Sequence, residues 1–166
     1  MPQVISAEYV AGFLDGEGSV SLNITGKKPS NRQQVSFPVK CSNTDEKIIR
    51  DLREQYGGSV SAGRPLPKHQ PFWVWTIQGA AAAALLREIR PFMRIKHRQA
   101  DLALEYWEWS RQPREVRCCS TPDRPQWHRT QETLRKEVEF KERMHVLNLR
   151  GQAKRVWVPT VHAGAL

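Results

Sequence analysis

Between Ser19 and Thr44, and again between Gln55 and Arg87, the 166-residue sequence has no aspartate and no glutamate. The first stretch carries Lys27, Lys28, Arg32 and Lys40, and the second Arg64, Lys68 and Arg87. Acids are missing where a polyanion would be most repelled by them, which points to nucleic acid. An ordinary solvated basic surface carries the same charge, so that reading stays open on charge alone. Cysteine is scarce as well: Cys41 and the neighbours Cys118 and Cys119 form neither an even disulfide framework nor a CxxC spacing, and read as reduced thiols. The vicinal pair with His128 does not have the spacing of a zinc site. Long apolar runs are absent, none approaching the ~20 residues that span a bilayer. The opening MPQVISAEYV lacks the basic and then apolar plan of a secretory signal. The expectation is a soluble, intracellular protein.

What is present suffices for one domain with a core, since 39% of the residues are apolar. The net charge is +9, and residues 110–166 supply +6 of it, twelve Lys/Arg against six Asp/Glu. Ser6 can cap a helix over about residues 7–15, in which Tyr9, Val10, Phe13 and Leu14 are apolar and which Gly16 and Gly18 end. From Gly18 the period becomes two, with Val20, Leu22 and Ile24 on one side and Ser19, Ser21, Asn23 and Thr25 on the other. After a GKKPSN turn, Val35, Phe37 and Val39 alternate with Arg32, Gln34, Ser36, Pro38 and Lys40, so the two strands form a hairpin with one polar, basic face. Asn43 and Glu46 suggest a capping box for a second helix ending at Gly57 and Gly58.

The plan then repeats: GSVSAGR and FWVWTIQ read as strands, with Trp73 and Trp75 on one face, followed by an alanine-rich helix from about Ala80 to before Pro91. A further helix is expected from about Met93, with Ile95, Leu102, Tyr106 and Trp109 at helical spacing. Residues 110–130 read as a loop, and a last polar helix over about 131–149 precedes a basic tail. The fold class is therefore α+β. Residues 1–110 form the core, and 111–166 form a loop, a C-terminal helix and a tail of the same domain.

Asp15 and Glu17 fall at the C-terminal end of the first helix, where carboxylates are disfavoured by a few tenths of a kcal/mol, order of magnitude. A simple turn is one explanation. A calcium loop fails, because the glycine needed at its sixth position is Val20 and the closing glutamate is Gly26. A carboxylate that holds a hard divalent cation at a phosphate is the third, and the acid-free hairpins supply the phosphate-binding surface it requires. Ala11, Gly12 and Gly16 give the same helix a small-residue face that a neighbouring helix can approach closely, in this chain or another.

The stretch VAGFLDGEG, Val10 to Gly18, resembles the LAGLIDADG motif of homing endonucleases, and IRPFMRIKHRQADLAL, Ile89 to Leu104, is similar to a lysine-bearing segment of their single-motif members. The resemblance implies an αββαββα core with an antiparallel DNA-binding β-saddle, plus C-terminal helices. It also implies an intron-encoded, metal-dependent endonuclease of the prokaryotic cytoplasm or an organelle. With one motif copy, the partner implied is a second copy of the chain, a homodimer joined through Ala11, Gly12, Asp15 and Gly16. Glu17 and Lys96 are then the catalytic residues, and the Gly16 carbonyl with Glu17 holds Mg2+, for which Mn2+ or Ca2+ substitutes in binding. Asp15 is structural or a minor contributor. Double-stranded DNA is contacted by Ser21, Asn23, Thr25, Lys27, Lys28, Arg32, Gln34, Ser36, Lys40 and Arg64, with Arg150, Lys154 and Arg155 on the backbone phosphates. Trp73 and Trp75 either join this surface or belong to the core. A pseudo-palindromic target on the order of twenty base pairs follows from two half-sites. Cys41 stands where relatives often carry a glutamine. An RNA maturase, or an inactive DNA-binding relative of the same fold, is the alternative.

Overall fold

The computed structural model describes residues 4–25, 34–63, 70–112, 117–118, 127–128 and 130–149. Lys27, Lys28, Arg32, Arg64, Arg150, Lys154 and Arg155 lie outside these residues. In chain order the elements are α1 (Ala7–Glu17), β1 (Gly18–Val20), β2 (Asn23–Thr25), β3 (Gln34–Ser36), β4 (Val39–Asn43), α2 (Glu46–Tyr56), β5 (Ser59–Ala62), β6 (Trp73–Ile77), α3 (Gly79–Ile89), a 3-10 turn (Arg90–Phe92), α4 (His97–Arg111), β7 (Arg117–Cys118), β8 (Trp127–His128) and α5 (Gln131–Asn148).

Ser6 caps α1 as its sequence suggests, its hydroxyl accepting from the Tyr9 N–H. The helix runs two residues further than the glycines suggest, so Glu17 joins Asp15 in its last turn rather than following it. Its inner face, Val10, Ala11, Leu14 and Asp15, is buried against α3, the 3-10 turn, β1 and β4. That burial corrects the expectation for Ala11: with 0% exposure it packs inside its own chain and cannot line a seam with another.

The first hairpin breaks where one continuous pair of strands was expected. β1 pairs with β4 in a four-stranded antiparallel sheet of order β1-β4-β6-β5, while β2 and β3 form a separate ribbon. Buried Pro38 lies at the break and its carbonyl accepts from the Ser21 N–H, 3.2 Å away. The period of two survives the break, with Val20, Leu22, Phe37 and Val39 all buried.

Two helix starts also differ from expectation. The cap of α2 is Asp45, whose carboxylate accepts from the Lys47 N–H at 2.8 Å; Asn43 instead receives the Asp45 N–H. Helix α4 begins at His97, not Met93: Met93 is extended (φ −72°, ψ 136°), and the N–H groups of residues 94–96 turn to the Asp15 carboxylate ahead of the helix. Ile95, expected on its apolar stripe, is accordingly 69% exposed. Within 110–130 the short pair β7 and β8 replaces a wholly irregular loop. Helix α5 packs on α4, with the Phe140 ring edge-on to Tyr106 at 5.5 Å and beside Trp109 at 5.3 Å.

Candidate active site

Glu17 ends α1 and Gly18 begins β1, so the acidic end of the helix meets the sheet with no loop between them. The turn into the strand needs glycine. A Cβ at position 18 would lie 2.6 Å from Leu14 Cδ2 and 2.7 Å from the Leu14 carbonyl oxygen. That same oxygen accepts the Gly18 N–H and caps the helix.

The two acids part company here. Asp15 turns inward, 7% exposed, and its carboxylate accepts three consecutive backbone N–H groups: Arg94 at 2.6 Å and Ile95 at 3.0 Å on Oδ2, and Lys96 at 2.9 Å on Oδ1. Burial alone would push its carboxyl up, but these three bonds and the Lys96 charge together hold it below the ordinary aspartate range. Hydrogen bonds to an ionised acceptor are worth about 1.5–3 kcal/mol each, enough to outweigh an unfavourable place at a helix C-terminus. Glu17 points to solvent, and among the described residues no donor engages its carboxylate.

Lys96 returns the contact. Its side chain is buried, and Nζ donates to the carbonyl of Leu14 at 3.0 Å and to that of Asp15. The Leu14 carbonyl accepts this donor as well as the Gly18 N–H, the Asp15 carbonyl lies in the last turn where helix carbonyls lack intrahelical donors, and an ammonium there also complements the helix dipole. Cys41, opposite Gly18 in the sheet, lies beside the same group. Burial pushes its thiol up to about 12, the Glu17 charge adds to this, and the Lys96 charge offsets part of it. The fold thus brings Glu17, Lys96 and Cys41 together from the end of α1, the residue before α4 and β4. Gly16 stands on the exposed side of α1 beside them.

Oxygen donors are what this corner offers a metal: the Glu17 carboxylate and the Gly16 carbonyl, of the hard type that magnesium takes. Among the described residues no group of three or more His, Cys, Asp or Glu stands together. One chain therefore fits a divalent ion only as a partial shell, which other oxygens would complete.

The register of the sheet sorts the DNA-contact expectations. Gly18, Cys41, Trp75 and Val60 lie in one cross-strand row, and Val20, Val39 and Ile77 in another on the same, helix-covered face. Trp75 is 0% exposed and its indole N–H donates to the Gly57 carbonyl at 2.8 Å, so it is a core residue and not a DNA contact. Trp73 shares that parity and packs, half-buried, against the core. The opposite face carries Ser19, Lys40, Thr76 and Ser59 in one row and Ser42, Val74 and Ser61 in the next, without a carboxylate. Lys40 was expected there. Ser42, Ser59, Ser61 and Thr76 were missed, although alternation with Trp75 would have found them. On the ribbon, Asn23 and Thr25 are exposed and Ser36 is half-buried, as is Ser21 just before it; Gln34 lies on β3 opposite Thr25.

Two antiparallel hairpins joined by helices, with an acidic helix end against the sheet, form the fold of the LAGLIDADG homing endonucleases. The archaeal intron-encoded homing endonuclease I-Vdi141I, solved in complex with DNA, aligns with a TM-score of 0.66 at 16% identity over 92% of this chain and 88% of its own. The homing endonuclease I-CvuI, solved with its target in the presence of Ca, gives 0.62 at 17% identity over 92% and 85%. The LAGLIDADG homing endonuclease I-LtrWI, bound to target DNA, gives 0.58 at 19% identity, with 87% of this chain covering 46% of that one. No protein-family model matches the sequence, and no curated protein matches it either. Among the described residues no helix is long and apolar enough to cross a membrane.

Proposed function

We propose that the chain is a site-specific double-strand DNA endonuclease of the homing type, acting as a homodimer with a divalent metal. The observation that carries this reading is Glu17: an exposed carboxylate without a hydrogen-bond donor among the described residues, at the junction of α1 with an acid-free sheet face. A carboxylate at the rim of a polyanion-binding surface repels its own ligand unless a cation lies between them. The Glu17 carboxylate and the Gly16 carbonyl would hold Mg2+, or Mn2+ or Ca2+ in its place. When bound, the ion supplies Lewis-acid polarisation of the scissile phosphate. Lys40 and the hydroxyls of Ser19, Ser42, Ser59, Ser61 and Thr76 lie where a major groove would meet the sheet, with Asn23 and Thr25 on the adjoining ribbon. The basic residues outside the described ones, Lys27, Lys28, Arg32, Arg64, Arg150, Lys154 and Arg155, would add backbone phosphate contacts.

Support for a dimer comes from α1. Gly12 and Gly16 are exposed, and a Cβ built on either meets nothing within 4 Å, so among the described residues no helix of the same chain occupies that face. Beside them Tyr9, 54% exposed, stacks on Phe13. The chain spans most of I-Vdi141I but about half of I-LtrWI, as expected where two such units make one working enzyme. Asp15, by contrast, spends its carboxylate inside its own chain.

A second reading has one observation in its favour. Cys41 is 1% exposed with its thiol pushed up to about 12, so it offers no polar group to order a water near Glu17. That suits a nucleic-acid-binding relative that does not cut. The test uses duplexes selected from a randomised library by the full chain, then challenged with Mg2+. Glu17→Gln should bind them as tightly as the parent and cut at least about a hundredfold more slowly. Undiminished magnesium-dependent cutting by the variant removes Glu17 from the site; tight binding without any cutting by the parent favours the second reading.

A further inference from the structure

Asp15 and Lys96 hold each other's elements in a reciprocal way. The Asp15 side chain leaves α1 and takes the backbone N–H groups of residues 94–96; the Lys96 side chain leaves that segment and takes the backbone carbonyls of residues 14 and 15. Both side chains are 7% exposed, and neither contact is local, the partners being about 80 residues apart in sequence. The Lys96 backbone carbonyl accepts the Ala100 N–H at 3.0 Å, so the segment they fix runs directly into the start of α4, with Lys96 as its N-cap residue. Glu17 follows Asp15 by two residues, on the last turn of the helix that this double contact anchors.

We propose that Asp15 is a positioning residue for Glu17, acting through Lys96: the two form an interlock that fixes the end of α1, and with it the direction in which Glu17 points. The proposal rests on reading Glu17 as the nuclease carboxylate. In it the carboxylate that is buried aims the one that is exposed. Lys96 then works by holding helix carbonyls, and its ammonium need not reach a phosphate. The physical basis is that a side chain at a helix terminus is only as well placed as the terminus, and frayed ends are the default when the last carbonyls lack donors. An error of about 1 Å in the placement of a reacting group is enough to cost a hundredfold in rate.

The experiment compares the full-length parent with Asp15→Asn, Lys96→Met and the double variant. Without DNA, amide hydrogen exchange is read at Arg94, Ile95, Lys96 and Gly18. An interlock requires each substitution to loosen both ends: Asp15→Asn should speed exchange at Gly18 and Lys96→Met at Arg94 and Ile95, each by about tenfold or more. With selected duplexes, both variants should bind like the parent and cut at least about tenfold more slowly, and the double variant should cut no more slowly than the worse single one. The proposal is overturned if each substitution loosens only its own end, or if the two losses of rate multiply. It is equally overturned if Asp15→Asn lowers the melting temperature yet cuts at the parental rate well below it, as a merely structural residue would. Should Asp15→Asn fail to fold, exchange at Arg94 and Ile95 in Lys96→Met decides alone. A parent that binds but never cuts refutes the nuclease reading, and the exchange measurements still decide the interlock.

Discussion

A methyl group at position 18 would press on the backbone carbonyl that caps α1, and that oxygen cannot move without unwinding the turn. Gly18→Ala is expected to destabilise the chain by about 1–3 kcal/mol, the range for overpacking a tight site, measured as a drop in urea midpoint with an unchanged slope. An unshifted midpoint would show that the helix-to-strand turn can open. At this scale the sequence was informative about which acid differs from which: the resemblance separates Glu17 from Asp15. What Asp15 does with its charge was not legible, because its three donors lie on backbone N–H groups some 80 residues away, and backbone donors leave no mark in a sequence. Trp75 was ambiguous for a different reason. A large aromatic on a strand serves either face, and only the register with Cys41 and Val60 settles which.

Helix α5 shows how an element with a weak apolar stripe is held. Leu134, Phe140 and Met144 are buried, but its attachment is also polar: Asn148 donates to the Val20 carbonyl, Gln99 to that of Leu147, and Arg143 clasps the Glu105 carboxylate with two bonds of 2.9 and 2.7 Å. The bonds from Arg143 hold the Glu105 carboxyl below its usual range against the opposing effect of burial. A carboxyl lowered in the folded state contributes stability above its unfolded value, about 4.3, and loses it as pH falls through the folded one. Between pH 6 and pH 3 the parent should therefore lose more stability than Glu105→Gln. The pair is half-exposed, so the difference is about 0.2–1 kcal/mol and should shrink in salt. Equal losses would mean the ion pair contributes nothing to docking α5. Element starts were the other thing hidden from sequence. Asp45 outcompetes Asn43 as a cap by standing directly before the helix, and α4 starts late because the chain at Met93 is extended, in a segment whose backbone N–H groups the distant Asp15 binds.

Over the whole molecule the order αββαββα was readable from periodicity together with caps and turn residues, since each hairpin and helix announces itself within a dozen residues. The division of the first hairpin between a sheet and a ribbon was not, because it depends on which distant strand, β6, lies against β4. The open face of α1 carries the prediction at this scale. A Cβ at position 12 meets nothing within 4 Å among the described residues, and leucine favours a helix over glycine by up to about 1 kcal/mol, so for Gly12→Leu the folded monomer should be no less stable. In the proposed dimer the same leucine stands in the seam. Sedimentation at micromolar concentration should then show the parent as a dimer and the variant as a monomer, and an unaltered dimer would place the seam elsewhere.

Helix α1 passes into β1 through Gly18 alone, whose N–H donates back to the Leu14 carbonyl. The blade and the reading head of such an enzyme are therefore one rigid piece, with no hinge to take up slack. Its cut would fall at a constant number of base pairs from the bases it reads, so that a single base pair inserted at the centre of a target would put both strands out of reach at once.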